Sequence, residues 1–206
     1  WMGNWHANAE NSVTAVAHHQ EALEIVETLG DHRALMRTLD LLGLAYLLAG
    51  DLGASVRYYD RSIALSRKED DRWRLVTGLI ARAVSVSELI MLAVVPVDEP
   101  PDALRDLEEA ICIAREIDSP VDETWAHWAL GLLHTVRGRF GPAREVLASG
   151  LRIASSIGHR EFEVSNRSAL GVLYVEMLAP VQARDHLTEA LDMAGELRSQ
   201  VWTHRI

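Results

Sequence analysis

Nine histidines, one cysteine and thirty acidic side chains are the residues that could do chemistry in this chain, and their spacing decides whether they do. His18 and Glu21 stand three apart and Glu123 and His127 four apart, separations that put two side chains on one helix face. A structural zinc site needs about four ligands and a catalytic one about three plus an open position. No H-E-x-x-H and no paired C-x-x-C supplies them, and a solvated helix face produces His/Glu neighbours freely. Cys112 lies in EAICIAREI, on the apolar side of an expected helix; a nucleophilic thiolate needs a base or cation beside it, so a small core residue is the expectation. Lys68, the only lysine, sits in SRKED and not behind the glycines of a phosphate-binding loop. There is no G-x-S-x-G elbow, and the paired acids Glu108-Glu109 and Asp70-Asp71 fall on charged helix surfaces or turns. No catalytic residue, metal ligand or cofactor is expected.

The whole composition points the same way. With 206 residues, 49% hydrophobic and 6% aromatic, the chain can bury a core and resembles soluble globular proteins. Thirty acids against 20 bases give a net charge of −10, which repels phosphate backbones and anionic lipid, so neither nucleic acid nor membrane is an expected partner. One cysteine allows no internal disulfide and suits a reducing compartment. No apolar run reaches the roughly 20 residues that span a bilayer, and WMGNWHANAE lacks the basic-then-apolar order of a secretory signal. The expected location is the cytoplasm.

What must position any site is a repeat. Leu42-Gly43, Leu130-Gly131 and Leu170-Gly171 serve as anchors; twelve residues after each glycine come Ser55, Ala143 and Ala183. Four further on stand Tyr59, Leu147 and Leu187, and three beyond those Ser62, Gly150 and Ala190. Met2-Gly3, Ala15, His19 and Ala22 extend the frame backwards at the same 40-residue period. Between lies a unit with Ala83 in the glycine place, whose Ala103, Leu107 and Ala110 arrive eight residues late because of the Pro-rich acidic insertion Val94–Pro101. Small residues at positions 8, 20 and 27 of each unit let two antiparallel helices approach closely. Glycine and proline at Gly50-Asp51-Leu52-Gly53, Gly138-Arg139-Phe140-Gly141 and Ala179-Pro180 mark the turns. The expected units are 1–30, 31–70, 71–118, 119–158 and 159–198, with 199–206 opening a further one.

The residues Leu42-Gly43-x-x-Tyr46, Gly50-Asp51, Ser55, Tyr59 and Leu170-Gly171-x-x-Tyr174 resemble the tetratricopeptide repeat. The resemblance implies an all-α, right-handed α-α superhelix of about five helical hairpins. Its unit is longer than the usual 34 residues, which is similar to the sensor regions of bacterial signalling ATPases and LuxR-type regulators. It implies that the first helix of each unit lines a concave groove through positions 2, 5, 9, 12 and 13. The candidate groove residues are then Arg37, Asp40 and Leu44, Thr77 and Glu88, Trp125 and Trp128, and Ser165, Ser168 and Glu176. Trp125 and Trp128, three apart, could anchor an apolar or Pro-rich ligand. The expected function is a non-catalytic interaction or ligand-sensing scaffold, a piece of a larger regulator that binds a protein, a peptide or a small-molecule inducer. The alternative is a free-standing adaptor that grips peptide segments. Ends without polar capping helices would allow oligomerisation.

Overall fold

A computed structural model describes residues 12–92 and 101–197. The first eleven residues, residues 198–206, and all of the Val94–Pro101 insertion except its last residue lie outside the described residues. So does the expected opening of a further unit at 199–206. The described residues form only helices and turns, an all-α repeat superhelix: α1 (Ser12–Leu29), α2 (His32–Ala49), α3 (Leu52–Lys68), α4 (Arg72–Met91), α5 (Pro101–Glu116), α6 (Pro120–Val136), α7 (Phe140–Ser156), α8 (Arg160–Glu176) and α9 (Pro180–Glu196).

Helix starts and stops follow the sequence closely. Asp31, Asp51 and Asp71 cap α2, α3 and α4, each carboxylate accepting backbone amides at 2.9–3.0 Å. Pro120 and Pro180 open α6 and α9, where a missing N–H costs nothing. Among the described residues a left-handed residue turns the chain after α1, α2, α3, α5, α6, α7 and α8. Gly50 supplies it after α2, with φ 82°. The same place after α8 is filled by Leu178, at φ 55° and 88% exposed. A leucine there carries the left-handed penalty of about 1 kcal/mol and has no packing to lose. Leu178→Gly is expected to stabilise the protein by about that amount, read as a higher urea midpoint at unchanged m. A lower midpoint would mean that the side chain contributes packing.

Consecutive helices pack antiparallel, α2 on α3, α4 on α5, α6 on α7 and α8 on α9, and each pair stacks on the next. The close approach within a pair is carried by position 8. A methyl added at Gly43 would lie 2.7 Å from the Tyr59 ring, one at Gly131 2.3 Å from Leu147, and one at Gly171 2.5 Å from Leu187. The knob and hole stand sixteen residues apart in all three pairs. The central core joins Ile63, Leu79, Leu107 and Leu133 across α3 to α6, and smaller clusters fill α1–α2 and α7–α9.

Candidate concave interface

Next-but-one helices pack directly along one row, α2 on α4, α4 on α6 and α6 on α8. That row is the inner side of the superhelix, because helices that touch their second neighbours are on the shorter path. Within it position 9 is accessible in every unit: Leu44, Val84 and Leu132 are half-buried, and Val172 is 43% exposed. Position 13 alternates apolar and acidic residues, Leu48, Glu88, Val136 and Glu176, and stays accessible as well. Positions 5 and 12 differ, since Asp40, Ile80, Ser87 and Thr135 are buried where inner helices meet. The open floor is therefore an aliphatic row crossing four helices. Arg37 is exposed at one end, Thr77 is half-buried, and Ser168 is half-buried on α8.

Trp125 and Trp128 are half-buried on α6 and rest on the central core; Trp128 also touches the α7–α8 cluster. Each indole thus has one face in packing and some surface left over, the arrangement of an anchor set in a wall. A third tryptophan belongs with them. Trp73, in the first turn of α4, is 42% exposed, and its indole N–H donates to Asp122 on α6. Val121, 41% exposed, precedes Trp125 by one turn. Reading the sequence did not find Trp73, which stands one helical turn before Thr77; extending the groove frame by one turn would have reached it.

Two expected groove residues prove to be scaffold. Asp40 is buried, takes a hydrogen bond from Ser62 on α3, and lies 3.2 Å from Arg74 Nη1. Burial pushes its carboxyl up to about 6 against the pull of Ser62 and Arg74. Ser165 is 1% exposed and donates to the Glu161 carbonyl at 2.8 Å, so its hydroxyl is spent on its own helix.

Cys112 is exposed, contrary to its expected place in the core, because α5 buries the register Ala103, Leu107, Ala110 and Ala114, one step away. It borders a cleft of about 460 Å³ beside Arg67, Arg72 and Glu109. Both arginines there already hold carboxylates, Arg67 on Glu109 at 2.7 Å and Arg72 on Glu116. His18 and Glu21 are exposed and 3.7 Å apart. Glu123 gives its carboxylate to Arg115 at 2.6 Å, while His127, its ring nitrogen 3.1 Å from the Glu123 carbonyl, is kept neutral by burial. Among the described residues no three His, Cys, Asp or Glu side chains converge as a metal site would need, and no helix is long and apolar enough to cross a membrane.

The sequence model of the tetratricopeptide repeat family matches residues 1–68, and no curated protein matches the chain. Among solved structures the chain is similar to a Rap protein complexed with Competence and Sporulation Factor, with TM-score 0.81 and 17% identity over 98% of this chain. It spans 54% of that protein, about half its length. It is also similar to the nearly identical TPR-like repeats of a kinesin light chain from Podosopora anserina, with TM-score 0.69, 15% identity, and 95% and 93% of the two chains covered. A third likeness is BtubC (BKLC) from P. vanneervenii, with TM-score 0.63, 12% identity, and 95% and 92% covered. At these identities the likeness is one of fold. The family match covers the first third of the chain, and the described residues repeat one helical hairpin, the fold that these similar structures share.

Proposed function

We propose that the inner face of α2, α4, α6 and α8 binds a peptide segment of a protein partner, and that the chain works as the non-catalytic sensing region of a larger cytoplasmic regulator. The observation that carries this is the accessible aliphatic row Leu44, Val84, Leu132 and Val172, flanked by Trp73, Trp125 and Trp128. An apolar floor with a few aromatic anchors and a polar edge is the surface a peptide can use, because the anchors supply most of the binding energy. Arg37, Glu88, Ser168 and Glu176 stand at the edge, where they would orient the ligand. The likeness to a Rap protein held with Competence and Sporulation Factor supports the choice of a peptide-sized occupant. The apolar surface of the last hairpin, Val175, Val181, Leu178 and Leu191, is read as a stacking face for a further helical hairpin.

Screening the folded protein against an array of short peptides tests the first part. Trp125→Ala and Trp128→Ala are each expected to weaken the best binder at least tenfold, since hot-spot aromatics carry about 2 kcal/mol or more. Each also removes packing, so binding is read at a temperature where circular dichroism shows the variant fully helical. Unchanged affinity in both folded variants would remove the anchor from this reading. A metabolite that raises the melting temperature where no peptide does would instead favour a small-molecule sensor.

A further inference from the structure

The inner helices run parallel to one another, because each is joined to the next through an antiparallel outer helix. Their first turns therefore share one edge of the groove, where a single register position recurs as Arg33, Trp73, Val121 and Glu161. Each of these side chains keeps surface: Arg33 is exposed, Trp73 and Val121 are 42% and 41% exposed, and Glu161 is half-buried. One turn further in, Arg37 is exposed on α2 and Trp125 is half-buried on α6. The edge thus passes from cationic over α2, through aromatic and aliphatic surface over α4 and α6, to anionic over α8.

Most charged side chains of the inner helices are already spent on the scaffold. Arg72, Arg74 and Arg82 on α4 hold carboxylates, as do Arg160 and Arg167 on α8, and Glu123 on α6 holds Arg115. Among the described residues, the accessible charged groups on these helices that make no ion pair or hydrogen bond are Arg33 and Arg37 on α2, Glu88 on α4, and Glu161 and Glu176 on α8. They are sorted by sign along the row, with the cations at one end and carboxylates from α4 onward. A ligand can meet each of them without breaking an internal pair. Charges placed this way set the direction and register of a partner more than they add raw affinity.

Inner helices that touch stand about 8–10 Å apart, so the three steps from α2 to α8 cover roughly 24–30 Å. An extended strand rises about 3.3 Å per residue, which makes that span about seven to nine residues. Resting on the peptide-binding reading above, we propose that the occupant is an extended segment of this length with its charges sorted. Its acidic side chains lie over Arg33 and Arg37, its apolar middle lies against Trp73 and Trp125, and its basic side chains lie over Glu161. Glu88 and Glu176, on the opposite edge of the groove, repel an acidic stretch there and enforce the same polarity. A segment laid the other way round meets like charge at both ends.

Equilibrium binding of the full chain to pools of capped peptides, each of about nine residues with a randomised apolar middle, tests it. The pools are acidic at one end and basic at the other, acidic at both, basic at both, or uncharged. The sorted pool is expected to bind about tenfold tighter than either like-charged pool in low salt, with a smaller margin in high salt. A helix of that length reaches only about 14 Å, so a gain from both ends requires the extended form. Arg33→Glu with Arg37→Glu is expected to move the preference to the pool basic at both ends. Glu161→Lys with Glu176→Lys is expected to move it to the pool acidic at both ends. These side chains are accessible and unpartnered, so the variants keep the fold, and Arg144→Glu, exposed on the outer helix α7, is expected to change nothing. An uncharged or like-charged pool that binds as well as the sorted one, or a preference that the reversals leave in place, would overturn the sorted occupant and leave the groove reading standing. Absence of binding in every pool would overturn both.

Discussion

Replacing Arg82 with alanine is expected to destabilise the protein by about 3 kcal/mol, the scale for breaking a buried ion pair from one side. Arg82 stands on α4 and reaches two other helices. Its Nε lies 2.7 Å from Asp106 Oδ2 on α5, its Nη2 holds the same carboxylate, and its Nη1 lies 2.6 Å from Asp60 Oδ1 on α3. Burial works against the guanidinium charge, yet hydrogen bonds and attraction from the two aspartates outweigh it and raise its pKa. The two partners differ in weight. Asp60 is half-exposed, so its pair contributes little. Asp106 is 3% exposed, and truncating Arg82 leaves that carboxylate inside the fold without the guanidinium that grips its Oδ2. Chemical denaturation measures the loss. Pairing Arg82→Met with Asp106→Leu is expected to recover most of it, because replacing both charges with apolar groups avoids the stranded ion. A loss below about 1 kcal/mol for Arg82→Ala would show that water already reaches Asp106.

Gly131→Ala is expected to destabilise by about 2 kcal/mol, although glycine to alanine inside a helix ordinarily stabilises by up to about 1 kcal/mol. The added methyl would fall 2.3 Å from the side chain of Leu147, which is fully buried, so the contact must be relieved inside the packed core. Gly141→Ala is the control. Gly141 lies in the first turn of α7, exposed, with nothing within 4 Å of an added methyl, so its expected change is neutral or slightly stabilising. Shortening the facing side chain, as in Gly131→Ala with Leu147→Val, is expected to cost less than the two single changes summed. Equal effects at Gly131 and Gly141 would mean that the hairpin relaxes around the methyl and that close approach does not hold it.

That contrast shows what could be read in the sequence. Gly43 with Tyr59, Gly131 with Leu147 and Gly171 with Leu187 were visible as a spacing, because helix packing demands a small residue opposite a large one and the demand recurs in every unit. The site was less legible, since accessibility depends on neighbours in space. Position 5 reads the same way in each unit, yet Asp40 and Ile80 are buried while Trp128 and Ser168 keep some surface. What decides is how closely the next inner helix approaches, and no single unit encodes that. Trp73 escaped because it lies just outside the borrowed frame. Its role depends on Asp122, which lies on the next inner helix. Cys112 lies one step of helix register from the expected core position, the difference between the buried face of α5 and the rim of a cleft.

The dominance of packing between consecutive helices also governs how this chain reaches its fold. Contacts that close within one hairpin or between adjacent ones join residues near each other along the chain, so little loop entropy is lost before they form. Acquisition of structure is therefore fast, on the order of microseconds to milliseconds for such low-contact-order topologies, and can start in more than one hairpin. The reverse process is local in the same way, so probes placed on α1, α5 and α9 would report different midpoints for what is nominally a single transition.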